Sequence, residues 1–234
     1  MRIGDLAFFW PQGNKTSPLT WIYQEVFAPA HWNAHTFEYG EVAIQMGDWV
    51  IDAGACEGFF TYYALKRGAN VLVIEPVPVL VEALSHTFEA EIKAGRVQIL
   101  WGALGDKPGE FGLRIAQDEL YLSGLEADGD IIVPVYTLDG LLEQEVVPSI
   151  DFVKMDIEGH EVAAVQGGIS LLRTSSPQLS IAVYHQEENA RIIRQYLQEI
   201  NPMYNVHWRG IWARSQDLPR PYMLYASQKR RDQS

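Results

Sequence analysis

The segment from Asp52 to Gly58 carries residue types suited to holding a nucleotide-like cofactor. It reads Asp-Ala-Gly-Ala-Cys-Glu-Gly, follows a short apolar run and precedes a segment typical of a helix. Small residues in such a turn let the backbone approach a ligand closely, and the N-terminus of the next helix offers free N–H groups. The sequence therefore predicts a cofactor-binding turn between a buried strand and a helix.

The charges of this turn distinguish two kinds of cofactor. Dinucleotide folds usually carry three glycines in the pattern G-x-G-x-x-G to cradle a pyrophosphate, whereas this turn has only Gly54 and Gly58. Asp52 and Glu57 would repel a pyrophosphate but attract the ammonium and sulfonium groups of S-adenosylmethionine. Glu75, which ends the next apolar run, suits both ribose hydroxyls of an adenosyl group. We therefore expect S-adenosylmethionine, against the alternative of a plain strand–turn–helix with surface acids.

Apolar runs alternate with helical patterns along most of the chain. Strands are predicted at 49–53, 70–74, 97–100, 111–115, 131–136, 152–156, 179–183, 204–209 and 222–226, and helices at 58–66, 79–94, 138–145, 160–172 and 187–200. This alternation predicts a parallel sheet with right-handed crossovers. Pro134 favours an edge position for its strand, because proline cannot donate to a ladder.

Three parts of the chain differ in pattern. Residues 1–45 are rich in aromatic side chains and turn signals, and we predict an N-terminal extension or cap. Residues 46–228 form the expected main domain, and the polar residues 229–234 a disordered tail. His31 and His35 are interpreted as packing within the cap, the alternative being contact with substrate.

Composition argues against several classes of partner. The 234 residues carry a formal net charge of −12, whereas nucleic acids and anionic membranes require clustered Lys and Arg. Cys56 is the only cysteine, so no intramolecular disulfide can form and a cytoplasmic setting is the simplest interpretation. No run approaches the roughly 20 apolar residues of a membrane helix. A small molecule is therefore the expected partner, and the sequence does not indicate an oligomeric state.

Several segments resemble the FkbM family of methyltransferases, within the broad class I group. They are 50–55 with Gly58, 75–76, 102–106, 136–139, 151–161, 167–168 and 181–185. The Lys-x-Asp-x-Glu-Gly-x-Glu stretch from Lys154 to Glu161 is the most specific of them. The resemblance spans residues 38–228, and Cys56 stands where the family usually has Asn.

The resemblance implies an α/β, Rossmann-like class I methyltransferase fold. Its sheet has seven mainly parallel strands with the last one antiparallel, and helices cover both faces. It also implies O-methylation of a hydroxyl on a polyketide, sugar or other small natural product. The expected cofactor-binding residues are Asp52, Gly54, Ala55, Cys56, Gly58, Glu75, Pro76, Ala103 and Asp156.

Candidate catalytic residues follow two of the later strands. Methyl transfer to oxygen needs an aligned acceptor and usually a base that takes the hydroxyl proton. His185 is the first choice as base because imidazole has a suitable pKa, and His160 is the second. Asp156 is expected at the pocket, where it would orient the acceptor or the methyl-bearing end of the cofactor. The alternatives are a His185 that bonds a neighbouring loop and a His160 that simply begins a helix.

No dedicated spacing of metal ligands is present, and no metal is assigned. The alternative is a magnesium ion held by carboxylates of Asp156, Glu158 and Asp139. Glu158 and Glu161 are equally typical of acids in the first turn of a helix. Lys154 is expected to pair with a buried acid.

Two other functions remain open at this stage. One is a nicotinamide-dependent oxidoreductase on a similar sheet, although the missing third glycine counts against it. The other is a binding protein that kept the fold and lost catalysis. Cys56 lies at a helix N-terminus, where a thiol pKa can fall, but without a histidine partner it is interpreted as a small turn residue.

Overall fold

A computed structural model describes residues 1–116, 119–213 and 218–228, so the tail predicted at 229–234 lies outside the described residues. The helices are α1 Leu19–Phe27, α2 Phe59–Lys66, α3 Pro78–Thr87, α4 Glu89–Lys93, α5 Leu138–Glu143, α6 Glu161–Gln166, α7 Ile169–Thr174 and α8 Asn189–Ile200. The strands are β1 Arg2–Ile3, β2 Leu6–Ala7, β3 Trp49–Ala53, β4 Asn70–Glu75, β5 Val97–Trp101, β6 Ala103–Leu104, β7 Gly109–Arg114, β8 Gly124–Leu125, β9 Ile131–Tyr136, β10 Phe152–Met155, β11 Gln178–Ala182, β12 Tyr204–Trp212 and β13 Arg220–Gln228. None of the described helices has the length and apolar character needed to cross a membrane.

The central sheet contains seven of the described strands in the order β12-β13-β11-β10-β3-β4-β5. The five strands from β11 to β5 pair in parallel, and β13 runs antiparallel to both β11 and β12. The predicted Rossmann-like sheet with an antiparallel last strand is therefore confirmed. Strand order reverses between β3 and β10, and ligands bind open α/β sheets in the crevice at the carboxyl ends of strands beside such a reversal.

Both faces of this sheet are covered by helices. In β3, Ile51 and Ala53 share a core with side chains of α5, α6, α7 and α8. Val50, on the opposite face, shares a second core with side chains of α1, α2 and α3. Because both faces are buried, the central strands read as continuous apolar runs, which is why the sequence predicts them well.

Two predicted helices are divided in the structure. The segment predicted at 79–94 forms α3 and α4, which meet at Phe88, a fully buried residue with non-helical backbone angles. The segment predicted at 160–172 forms α6 and α7, which are separated by Gly167 and Gly168. A Cβ atom on Gly167 would lie 2.1 Å from the carbonyl oxygen of Gly105, so close packing requires glycine at the break.

A second sheet, in the order β6-β9-β7-β8, follows β5 in the chain. Pro134 lies in β9, which is an inner strand rather than the predicted edge strand. The short strand β6 pairs only with Val135 and Tyr136, so Pro134 is paired on one side only, opposite Glu110 of β7. The missing N–H of Pro134 is tolerated because the pairing between β6 and β9 does not extend to this residue.

The N-terminal segment has more regular structure than predicted. It contains the hairpin of β1 and β2 as well as α1. Trp21 and Tyr23 of α1 are exposed, and these large exposed side chains obscure the helical period in the sequence. Phe8, Leu19 and Phe37 share one core with the central sheet. The domain boundary at residue 45 stays a prediction.

Candidate functional site

Two adjoining cavities open at the carboxyl ends of the central strands. The first lies beside the end of β4 and the turn at 120–125, and the second lies beneath α1. Each has an empty volume of about 570 Å³, which includes space open to solvent. Their shared wall is formed by Gly54, Cys56, Tyr121, Asp156 and Glu158.

The first cavity has mainly apolar walls and one buried carboxylate where β4 ends. Glu75 is 3% exposed, and its two oxygens accept the N–H groups of Cys56 and Val77, each at 2.9 Å. Burial raises the pKa of Glu75 to about 7, against the effect of those two bonds. Pro76 and Ala103 also line this cavity, as expected for cofactor-binding residues.

The glycines of the turn have different roles. Gly54 lines both cavities with φ at +74°, and a Cβ there would lie 1.9 Å from the carbonyl oxygen of Asp156. Gly58 lines neither cavity; it lies against Leu84 and Phe88 at the start of α2. Gly58 therefore allows close packing and does not face the expected ligand.

Cys56 is part of the shared wall. Burial, together with neighbouring carboxylates, raises the pKa of its thiol well above the usual range. The thiol is therefore protonated at neutral pH, which agrees with a small turn residue rather than a nucleophile. Ala55 lines the second cavity beside it.

Asp52 is directed into the protein interior. It is fully buried; its Oδ1 accepts from Lys154 Nζ at 2.9 Å and its Oδ2 from the Thr61 hydroxyl at 2.6 Å. Lys154 also donates to the carbonyl oxygens of Ala53 and Gly54, at 3.2 and 2.6 Å. The expected pairing of Lys154 with a buried acid is confirmed. The expected direct contact of Asp52 with the cofactor is corrected, because Asp52 lines neither cavity and both its oxygens bond within the protein.

Asp156 lies between two histidines. Its Oδ1 is 3.4 Å from His185 Nε2, and its Oδ2 is 3.6 Å from His35 Nε2. His35 lines the second cavity and is 2% exposed, and neither of its ring nitrogens makes a hydrogen bond within the described residues. Burial lowers the pKa of His35 to about 4, so its imidazole is neutral at physiological pH. No periodic pattern in the sequence relates His35 to this site.

His185, the first choice as base, is surrounded by carboxylates. It lines neither cavity, and its Nδ1 lies 2.9 Å from Glu161 Oε1. Burial opposes the charged form, but the carboxylates of Glu161, Glu158 and Asp156 outweigh this effect and raise the pKa of His185 well above its usual range. Because His185 lies outside both cavities, the geometry does not favour it as the base, and that role stays a prediction.

The remaining candidate residues, His160, Glu161 and Asp139, lie at or near the first turns of α6 and α7. His160 lines the first cavity just before α6, with Nε2 at 3.1 Å from the Leu125 carbonyl oxygen. Glu161 begins α6 and is fully buried. Asp139 accepts the N–H groups of Ser170 and Leu171, at 3.0 and 2.7 Å, at the start of α7. Asp139 is therefore committed to that helix and does not join Asp156 as a metal ligand.

The second cavity combines acidic and aromatic side chains. Glu25 of α1 accepts a bond from the Tyr222 hydroxyl at 3.1 Å, and burial, reinforced by the charge of Asp156, raises the pKa of Glu25 to about 8. Burial raises the pKa of Glu57 to about 7. The aromatic lining comprises Trp21, Phe37, Phe60, Tyr121 and Tyr184. Sequence reasoning missed Glu25, because nothing in its local pattern relates α1 to a strand end far along the chain.

Comparison with known proteins identifies the family of this chain. Residues 52–201 match the family model described as the methyltransferase FkbM domain. The chain belongs to the FkbM methyltransferase family. This membership counts against the oxidoreductase alternative. The matched residues include the turn, Glu75 and Asp156, whereas Glu25 and His35 precede them.

Solved structures resemble this FkbM-family methyltransferase in fold. Methyltransferase FkbM from Methylobacillus flagellatus KT has a TM-score of 0.61 and 20% identity, over 87% of this chain and 47% of that one. The chain thus spans about half the length of that protein.

Two further structures are more distant. The C-terminal domain of precorrin-6Y C5,15-methyltransferase from Rhodobacter capsulatus is 12% identical over 95% of this chain and 94% of its own, with a TM-score of 0.46. A SAM-dependent O-methyltransferase from Thermotoga maritima is 12% identical over 94% and 67%, with a TM-score of 0.47. No curated protein matches the sequence significantly.

Proposed function

We propose that this FkbM-family methyltransferase transfers a methyl group from S-adenosylmethionine to a hydroxyl of a small molecule. The observation that carries the proposal is the wall shared by the two cavities. On one side lies an apolar cavity with the buried carboxylate of Glu75, and on the other an acidic, aromatic cavity with His35. Asp156 belongs to both, so a donor group and an acceptor could meet beside it.

The first cavity has the chemistry required by an adenosyl group. The Glu75 carboxylate lies at the end of β4, where ribose hydroxyls are bound in related folds, and Pro76 and Ala103 supply apolar surface. Gly54, Ala55 and Cys56 bring backbone close to the second cavity, and Glu57 offers a carboxylate to an ammonium group there. When bound, S-adenosylmethionine supplies an electrophilic methyl group on a sulfonium.

We assign proton transfer to His35 and Asp156. With S-adenosylmethionine bound, the acceptor oxygen would take its methyl group, and the electron pair of the carbon–sulfur bond would remain on sulfur. His35 Nε2 faces Asp156, so the hydroxyl proton goes to Nδ1 of the neutral ring. The Asp156 carboxylate then stabilises the imidazolium, as general base catalysis by a paired histidine requires.

The walls of the second cavity favour an acceptor that carries a ring. Aromatic faces such as those of Phe37 and Tyr184 bury flat or ring-shaped apolar groups well, and the carboxyl group of Glu25 can form a hydrogen bond with a further hydroxyl. A hydroxylated polyketide, sugar or similar natural product combines these features. The acidic walls give no support to a nucleic acid or an anionic membrane as acceptor.

Ligand binding and product analysis test the proposal. We expect S-adenosylhomocysteine, but not NAD, to raise the melting temperature of the purified protein. Incubation with labelled S-adenosylmethionine and a panel of phenols, sugars and polyketide alcohols should give methyl ethers, identified by mass spectrometry. Stabilisation by NAD alone would contradict the cofactor assignment. Cofactor binding with methylation confined to nitrogen or sulfur acceptors would contradict the oxygen acceptor.

A further inference from the structure

Three side chains after β10 and β11 direct their donor atoms towards one point. One ligand atom from each of Asp156, Glu158 and His185 lies within 4.8 Å of the other two. His185 Nε2 is 3.4 Å from Asp156 Oδ1 and 3.5 Å from Glu158 Oε1. No other group of three His, Cys, Asp or Glu residues with this proximity occurs in residues 1–116, 119–213 and 218–228.

We propose that Asp156, Glu158 and His185 bind a divalent metal ion. Two carboxylate oxygens and one imidazole nitrogen suit a first-row ion such as Mn²⁺, which accepts both kinds of donor. Ca²⁺ and Mg²⁺ prefer oxygen ligands alone, so the histidine favours Mn²⁺ over them.

Two of the three donor atoms lack a hydrogen bond within the described part of the chain. Asp156 Oδ1 and His185 Nε2 are both buried and make no hydrogen bond among the described residues, and the His185 side chain is only 8% exposed. Buried polar atoms without partners are rare in folded proteins, and an unseen ion is one recognised explanation. A cation at this point would also offset the charge of two carboxylates that face each other across it.

The residues behind the three ligands hold them in place. Glu161 Oε1 lies 2.9 Å from His185 Nδ1 and so turns Nε2 towards the carboxylates. Glu161 itself accepts the N–H groups of Ile157 and Gly159 and the amide of Asn189. A carboxylate behind a histidine is the usual arrangement around metal ligands, because it fixes the ring orientation.

Glu158 has an unusual backbone conformation. Its φ is +53°, in the left-handed region that side chains other than glycine rarely adopt. Such conformations persist where the surrounding structure enforces them, often at functional sites. Here the conformation lets a residue just outside α6 present its carboxylate beside Asp156 and His185.

The position of the ion connects it with the reaction. Asp156 and Glu158 line both cavities, so an ion bound to them would border the acceptor side and lower the pKa of a coordinated hydroxyl. This catalytic part rests on the proposed function. Binding of the ion does not, because it depends on the three ligands alone.

Electron paramagnetic resonance of Mn²⁺ tests the site directly. The full chain is treated with a chelator and titrated with Mn²⁺, and the free ion is measured from its solution spectrum. We expect saturation at one Mn²⁺ per chain, with Mg²⁺ and Ca²⁺ competing weakly. His185→Ala should weaken binding at least tenfold, and Glu161→Gln about 10- to 100-fold. His86→Ala, an exposed histidine on α3, should bind like the wild type.

Several outcomes would overturn the site. One is wild-type protein that leaves all Mn²⁺ free, and another is undiminished binding in both His185→Ala and Glu158→Gln. If His185→Ala fails to fold, Glu158→Gln still tests the site. The Glu158 side chain is 29% exposed, so its substitution should disturb the packing less. If Mn²⁺ does not bind but S-adenosylhomocysteine does and hydroxyls are methylated, the ion alone is refuted. If Mn²⁺ binds but oxygen acceptors are not methylated, the proposed function is refuted and the ion site stands.

Discussion

At the scale of single residues, two histidines contact the same carboxylate and differ in what surrounds them. His35 meets Asp156 from an aromatic, desolvated environment and is neutral. His185 meets it with Glu158 and Glu161 beside it. A base must be neutral and near the acceptor, so the surroundings favour His35 for proton transfer and His185 for a fixed, supporting role.

Replacement of His35 tests that assignment. We expect His35→Gln to lower kcat for methyl transfer by about 10²- to 10⁴-fold, the usual contribution of a general base. The Kd for S-adenosylhomocysteine should stay unchanged, because none of the contacts proposed for the cofactor involves His35. His31→Gln, in the same segment but exposed, is the matched control. A kcat equal to that of the wild type would remove His35 from the mechanism.

The buried ion pair of Lys154 and Asp52 gives a stability prediction. Lys154→Met leaves a fully buried carboxylate without its cation, and we expect a loss of about 3–5 kcal/mol in the free energy of unfolding, measured with urea. The double variant with Asp52→Asn should recover part of this loss. Lys93→Met breaks a pair whose side chains are 72% and 66% exposed and should cost less than about 1 kcal/mol. Equal losses in the two single variants would contradict the buried-pair argument.

Several site residues could be predicted from sequence, and the reasons are physical. Glu75 and Asp156 directly follow apolar runs, and the ends of parallel strands meet at one edge of a sheet. The direction of a side chain is not encoded in that pattern, which is why Asp52 is found inside the protein. His35 could not be assigned, because its segment has no period and reaches the site only through tertiary packing.

At the scale of elements, the turn between β3 and α2 lies against the end of β10. Gly54→Ala would bring a Cβ within 1.9 Å of the Asp156 carbonyl oxygen. Gly13 has a similar φ of +88°, but nothing lies within 4 Å of a Cβ added there. Gly13→Ala therefore introduces backbone strain without a steric clash. We expect Gly54→Ala to lose about 1–3 kcal/mol more than this control in urea unfolding, the usual cost of overpacking. A difference near zero would mean that the turn relaxes freely.

The existence of the elements was easier to predict than their ends. The central strands are buried on both faces, so each is a short apolar run that needs no further context. The break between α3 and α4 depends on burial of Phe88, and the break between α6 and α7 on the approach of Gly105 to Gly167. Both breaks follow from tertiary contacts that a local periodicity cannot contain.

At the scale of the whole molecule, helix α1 is joined to the sheet through an ionisable contact. Glu25 bonds the Tyr222 hydroxyl, and burial raises its pKa from 4.5 to about 8. The unfolded chain therefore releases this proton at lower pH than the folded protein. The stabilisation that the protonated Glu25 gives to the folded protein is fully present below about pH 4.5 and is lost as the pH rises through about 8.

Substitution of Glu25 should remove this dependence. We expect the free energy of unfolding of the wild type, relative to that of Glu25→Gln, to fall between pH 5 and pH 8 and to level off above. Urea unfolding at several pH values measures it, with the exposed Glu187→Gln as control. Parallel pH profiles for the wild type and Glu25→Gln would refute the contribution of Glu25.

The wall shared by the two cavities also bears on how the protein's selectivity can change over evolutionary time. Trp21, Glu25 and His35 face the second cavity from a stretch that precedes the matched residues 52–201, whereas Glu75 faces the first cavity from within them. On the proposed function, in which the second cavity holds the acceptor, mutations in this stretch would alter which acceptor is chosen without changing the side chains around the methyl donor. We expect acceptor preference to move with that stretch when it is exchanged between relatives.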